Sequence, residues 1–171
     1  MATLAATDLS SLIGRYRLNQ ATRELAKRVS ECRMTAISEN RECALRLLGA
    51  DAGAGNGDWR ANAGRYELHA ADVATGTLQW APLTDGVVDF ALGPGRQTGI
   101  SIEPWAPLSG PAGLNMPDSV VFSPRGFAAN RPTDFVSGGV IRVVLRNKQA
   151  SFVEQRVVRI DRGGNVQIAV P

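Results

Sequence analysis

The sequence predicts an α+β fold in which one long N-terminal helix packs on antiparallel β-sheet. Three observations predict it. Leu18, Ala21, Leu25, Val29, Cys32 and Ala36 recur at steps of three or four, which gathers them on one stripe of an α-helix. No Pro interrupts the run from Leu9 to Asn40, and Ala, Leu, Arg, Lys and Glu, all good helix formers, dominate it. Beyond residue 42 the pattern changes to short apolar alternations between turns, and nearly all of the 18 Gly and 9 Pro fall there.

The helix is expected over about residues 9–40, with Thr7, Asp8 and Ser10 as alternative N-caps between which the sequence does not choose. About thirty residues at ~1.5 Å each make a rod of roughly 45 Å. CALRLL (43–48) alternates Cys43, Leu45 and Leu47 against Ala44, Arg46 and Leu48, as a strand does. GADAGAGNGD (49–58) reads as a flexible loop. Arg65 to Ala71 and Thr77 to Trp80 read as strands around Thr75-Gly76, and Val87 to Leu92 as another. GPGRQTG (93–99) is a turn before a short strand from Ile100 to Glu103. Residues 104–117 carry four prolines and make an ordered loop rather than a central strand. Ser119 to Ser123, Val140 to Asn147, Ser151 to Ile160 and Val166 to Val170 complete the strands. Residues 147–150 and Asp161-Arg162-Gly163-Gly164 supply the two turns between the last three. No internal repeat or linker divides residues 1–171, so a single domain is expected, with the β region from about 43 to 171.

Composition places the chain among soluble globular proteins: 44% hydrophobic and 20% charged, with no apolar run near the ~18 residues of a membrane span. MATLAATDLSS lacks the charged start and apolar core of a signal peptide. The net charge of +3 is unevenly placed. Eight Lys/Arg face four Glu over residues 13–46, five Arg face nine Asp/Glu over 47–139, and six Lys/Arg face two acids over 140–162. Such a basic–acidic–basic layout is either an ordinary solvated surface or a guide for partners and subunits. Cys32 lies on the helix stripe and Cys43 just past its end. A chain that folds back after Asn40 brings them within bonding distance, and two buried free thiols remain the other reading.

Little here carries chemistry. GAGNGD lacks the Lys-Ser/Thr ending of a phosphate loop, and GPGRQTG has the wrong glycine spacing and leads into a β-like run. Asp51 and Asp58 offer the oxygen ligands calcium takes, but two acids in a flexible loop make a weak site. Two cysteines and a single histidine make no zinc site. His69 alternates with Tyr66 and Leu68 as a surface or edge residue, and no G-x-S-x-G context marks a nucleophile. Trp59, Trp80 and Trp105 lie in or beside loops, placed for packing or for stacking on a ligand. No enzymatic activity, cofactor, metal or small-molecule substrate is expected.

Three stretches, in this order, resemble one family. MTAISENRECALRL is similar to the segment where a long helix gives way to a first strand. SVVFSPRGF is similar to a strand followed by a Pro–Gly turn, and RVVRIDRGGNVQI to a terminal hairpin. Together they resemble the GspH/FimT-type minor pseudopilins of type II secretion and type IV pilus systems. The matched motifs occupy about a quarter of the chain, and the layout extends over most of it. The resemblance implies a pilin-like fold and a structural subunit of a type II secretion pseudopilus, with other pseudopilins or pilins as partners. It also implies a cleaved leader, an apolar first half of the helix in the inner membrane, and the remainder in the periplasm. This sequence departs there, and reads as the soluble part with Met1 in place of the membrane segment.

Two sets of residues follow as candidate sites. Leu12, Ile13 and Tyr16 are apolar, and Gly14 interrupts the stripe one turn before Leu18, so this end is expected to be exposed and to meet a neighbouring subunit's helix. The alternative is a minor pilin that binds DNA for uptake through Arg142, Arg146, Lys148, Arg156, Arg159 and Arg162. Some FimT-type members do so through a Gly-Arg-x-Arg stretch. The equivalent positions here read Gly164-Asn165-Val166-Gln167, so that motif does not carry over.

Overall fold

The computed structural model describes residues 2–48, 64–74, 79–83, 88–89, 100–104, 108–110, 118–136, 138–147 and 154–170. They form helix α1 (Ala2–Ser38) and strands β1 (Cys43–Leu47), β2 (Arg65–Ala71), β3 (Trp80–Pro82), β4 (Val88–Asp89), β5 (Ile100–Pro104), β6 (Ser119–Phe122), β7 (Val140–Asn147), β8 (Glu154–Asp161) and β9 (Val166–Ala169). A one-turn 3-10 helix at Pro132–Asp134 joins them.

The helix begins seven residues before the expected start, because ATLAATD contains no Gly or Pro, and the three candidate caps lie inside the helix. Its C-terminus is set by Asn40, which takes a left-handed φ of 50°. The Arg41 amide then reaches back to the Ala36 carbonyl at 3.2 Å, the closing bond of a Schellman motif. The stripe from Leu18 to Ala36 is fully buried as its spacing predicts.

Two antiparallel sheets receive that stripe. The five-stranded sheet has the order β3-β2-β1-β6, with β4 also pairing with β2; the four-stranded sheet has the order β5-β7-β8-β9. Leu45 of β1 pairs with Leu68 on one side and Val120 on the other. Ile141 and Val143 of β7 pair with Ile160 and Val158 of β8. These side chains and the helix stripe form one apolar cluster that spans both sheets. Within it, burial and the nearby Glu24 charge push the Tyr66 phenol well above its ordinary range, so it stays neutral at physiological pH.

Cys32 and Cys43 form a disulfide, with Cα atoms 5.6 Å apart and a sequence separation of 11. It ties the helix to β1 inside the core, and it resolves the two readings the sequence left open. One residue on, Arg33 Nε donates to the Gly126 carbonyl at 3.0 Å, which ties the helix to the turn after β6. The β8–β9 turn closes on the same point through the Ala128 amide, which donates to the Arg162 carbonyl at 3.1 Å. The SVVFSPRGF and RVVRIDRGGNVQI stretches therefore meet each other at the C-terminal half of the helix.

Several strands differ from their expected bounds. β3 runs from Trp80 to Pro82 rather than ending at Trp80, with Pro82 tolerated on a short strand beside β2. β5 extends to Pro104, again at a sheet edge. β8 runs one residue further, to Asp161, and β9 stops at Ala169. The Arg65–Ala71 and Val140–Asn147 strands have their expected bounds. The expected loops at 49–58 and 93–99 and the Asn147–Ala150 turn lie wholly or mostly outside the described residues.

Candidate assembly surface

The base of the helix is built around a missing side chain. A Cβ on Gly14 would lie 2.6 Å from Asn147 Nδ2, so glycine lets the helix approach the end of β7. Gly14 thus continues the sheet-facing stripe four residues before Leu18, rather than merely interrupting it. Arg15 Nε pairs with Glu154 Oε1 at 3.3 Å, and Arg156 Nε donates to Asn19 Oδ1 at 3.0 Å. Arg156 also approaches Glu154 Oε1 at 3.7 Å. Residues 15, 19 and 33 of the helix thus track β8 from its start to its closing turn. Residues 2–13 extend past the described end of this sheet, by about 18 Å at 1.5 Å per residue.

Leu12 is 59% exposed, Ile13 43% and Tyr16 69%. Tyr16 lies roughly 160° round the helix from Leu18 at 100° per residue, so the fold that buries one exposes the other. The middle of the outward face is different. Lys27 and Arg28 both pair with Glu31, at 3.5 and 2.8 Å. Burial alone would raise the Glu31 pKa, yet the Arg28 hydrogen bond and the Arg28 and Lys27 charges hold it below the ordinary carboxylate value. Among the helix residues whose side chains are described, the exposed large apolar groups fall in two sets, Leu12, Ile13 and Tyr16 before the paired Lys27–Glu31 segment and Met34 and Ile37 after it.

The five described members of the candidate DNA-binding set do not form one surface. Strand alternation puts Arg142, Arg146 and Arg159 on the outer face of the four-stranded sheet, with Arg142 directly opposite Arg159. Arg156 falls on the other face, engaged with Asn19 and Glu154. Arg162 lies in the β8–β9 turn with its guanidinium 5.1 Å from the centre of the Phe135 ring. Lys148 lies outside the described residues.

His69 is on the outer face of the five-stranded sheet, but β2 is an interior strand, not an edge. Its ring is largely covered and its Nε2 sits 2.9 Å from Glu67 Oε2. Trp80 and Ala129 pack against Ala44 and Val121. Trp59, Trp105, Asp51 and Asp58 lie outside the described residues. Among the described residues no group of three His, Cys, Asp or Glu is placed to hold a metal, and no helix is long and apolar enough to cross a membrane.

Sequence reasoning missed a polar anchor. Asp134 is buried and accepts from the Ser109 amide at 2.9 Å, the Gly110 amide at 3.1 Å and Asn130 Nδ2 at 3.0 Å. Asn130 in turn accepts from the Val121 amide at 2.9 Å and donates to the Ser119 carbonyl at 2.8 Å. The anchor seals the free side of β6, where the Ala129 amide also donates to the Val121 carbonyl. The only sequence signal was the pair of short polar residues around Pro132.

No protein-family model and no curated relative matches the sequence. Solved structures do. The type IV minor pilin FimU of Pseudomonas aeruginosa is 14% identical with a TM-score of 0.51, over 89% of this chain and 92% of that one. A second crystal form of FimU gives 16% identity and a TM-score of 0.50, over 91% and 90%. The minor pseudopilin EpsH from the type 2 secretion system of Vibrio cholerae is 10% identical with a TM-score of 0.55, over 91% and 98%. The chain has the pilin fold of these proteins: a long N-terminal helix packed on two antiparallel sheets.

Proposed function

We propose that this chain is a structural subunit of a pilus-like filament, a GspH/FimT-type minor pseudopilin of a type II secretion system. The observation that carries the reading is the helix base. Residues 2–13, about 18 Å of helix, extend past the described end of the four-stranded sheet, and around that point Leu12, Ile13 and Tyr16 are turned away from the molecule's own core. Exposed apolar groups where a helix leaves its own sheet fit a partner's helix better than water. The pilin fold shared with FimU and EpsH supports the same reading. In this role the chain docks and does not turn over a substrate. The proposed setting is the periplasm, with attachment to the inner membrane through an apolar segment N-terminal to the helix. The Cys32–Cys43 disulfide fits such an oxidising compartment.

A photo-reactive residue at position 13, in cells that make the whole filament system, tests the reading. Cross-links to other pilin-like subunits are the expected result. Adducts confined to the same chain would count against assembly through this end.

The alternative, a minor type IV pilin that takes up DNA, has Arg142, Arg146 and Arg159 on one face among the described residues. Three phosphate contacts would give log Kd against log salt a slope of about 3 in magnitude. Tight binding with such a slope, lost in Arg159→Ala, would favour the uptake reading over secretion.

A further inference from the structure

β9 pairs with β8 on one side only, and among the described residues no strand covers its other edge. Asp161 donates its amide to the Asn165 carbonyl at 3.1 Å, which marks 161 and 165 as a bonded pair. In an antiparallel ladder bonded pairs alternate, so Gln167 and Ala169 turn their backbone groups toward β8. The amides and carbonyls of Val166, Ile168 and Val170 then point out of the open edge.

Natural edge strands carry charge, a bulge or an internal proline that discourages pairing. Val166-Gln167-Ile168-Ala169-Val170 carries none of these, and its proline comes only at Pro171. Ile168 is 48% exposed and Val170 69%, both on the helix-facing side of the strand. The opposite face gives the edge a charge preference. There Arg142, Arg159 and Gln167 form one cross-strand row with no acidic member. Like charges directly opposite are unfavourable. Arg159 Nε is buried without a hydrogen-bond partner among the described residues. A strand added beside Gln167 would lie two strand spacings, about 9.6 Å, from β8. An acidic side chain there and the Arg159 side chain together span that gap.

We propose that the open edge of β9 accepts an added β-strand from a partner protein, with apolar residues on the helix side beside Ile168 and an acidic residue on the arginine face beside Gln167. Backbone bonding supplies the affinity, and the alternation of apolar and acidic residues supplies the selection. The site is separate from the helix base and does not rest on the filament reading.

The test uses two capped synthetic peptides of about eight residues, one alternating Val with Glu and the other Val with Lys, titrated against the whole chain. The Val/Glu peptide should bind at least about tenfold more tightly, and slow hydrogen exchange at the Val166, Ile168 and Val170 amides. Ile168→Pro removes an edge amide while leaving the β8 ladder intact, and should weaken binding by about tenfold or more. Val170→Pro serves the same purpose if Ile168→Pro does not fold, as judged by thermal unfolding. Arg159→Ala should bring the two peptides to equal affinity. Equal affinities for the unaltered chain, undiminished binding to the folded proline variant, or no binding at about 1 mM peptide would each overturn the proposal.

Discussion

Gly164 sits where three segments converge, with a left-handed φ of 77° and its missing Cβ directed at the Gly126 carbonyl and Arg33 Nε, 2.9 Å from the latter. Two costs therefore fall on Gly164→Ala: a left-handed alanine, about 1 kcal/mol, and displacement of backbone that holds Arg33. Gly138 has a φ of 96° but nothing within 4 Å of its would-be Cβ, so Gly138→Ala bears only the conformational cost. Urea unfolding should rank Gly164→Ala clearly below Gly138→Ala, and equal losses would mean that the convergence contributes nothing. The same turn responds to pH. Asp161 is held below its ordinary pKa first by the Asn165 side chain, then by backbone amides. A depressed folded pKa means the native state binds fewer protons than the unfolded chain near the ordinary carboxylate value. The contribution is thus present above about pH 4 and is lost as pH falls through the depressed value. Asp161→Asn should flatten the acid limb of the stability–pH curve, with little change in its shape above neutrality.

At the scale of elements, the helix is held to the two sheets by different means. Cys32 joins it to β1, and Leu25 lies fully buried in the shared apolar cluster. Replacing both cysteines by Ser should cost about 2–4 kcal/mol, and Leu25→Ala about 2–5 kcal/mol. Denaturant midpoints of the two variants measure these losses, and a change under about 0.5 kcal/mol, as at an ordinary surface site, would contradict the packing. The helix stripe was legible because 3.6-residue spacing is a local property, and so were β2 and β7, bounded by turn residues. The helix start was not, since ATLAATD is helix-compatible and no breaker marks a boundary. The arginine set could be read only in part. Once Arg142 and Arg159 are on one face, strand parity alone puts Arg156 on the other, but which side meets the helix depends on long-range pairing. The Asp134–Asn130 anchor joins residues brought together by the loop after β6, and no periodicity reports that. The disulfide stood between, since the spacing permitted it and the direction of the chain after Asn40 decided it.

At the scale of the whole molecule, stability and assembly should separate, because the residues that hold the fold and those proposed to meet a partner lie on opposite sides of one helix. Leu18 and Leu25 are fully buried, whereas Ile13 and Tyr16 face outward. Exposed substitutions away from special backbone positions usually change stability by no more than about 0.5 kcal/mol. Ile13→Ser with Tyr16→Ser should therefore leave the unfolding midpoint almost unchanged while reducing recovery of the chain in sheared filament fractions. Leu25→Ala should do the reverse at first order: a lower midpoint, with incorporation restored at temperatures where the variant remains folded. The comparison is informative because a chain that merely unfolds also fails to assemble. If the Ile13/Tyr16 variant is folded and still enters filaments at the level of the unaltered chain, the helix base is not the docking surface. Loss of incorporation with an unchanged midpoint would mark it as one, since neither side chain contributes to the apolar core that joins the helix to the two sheets.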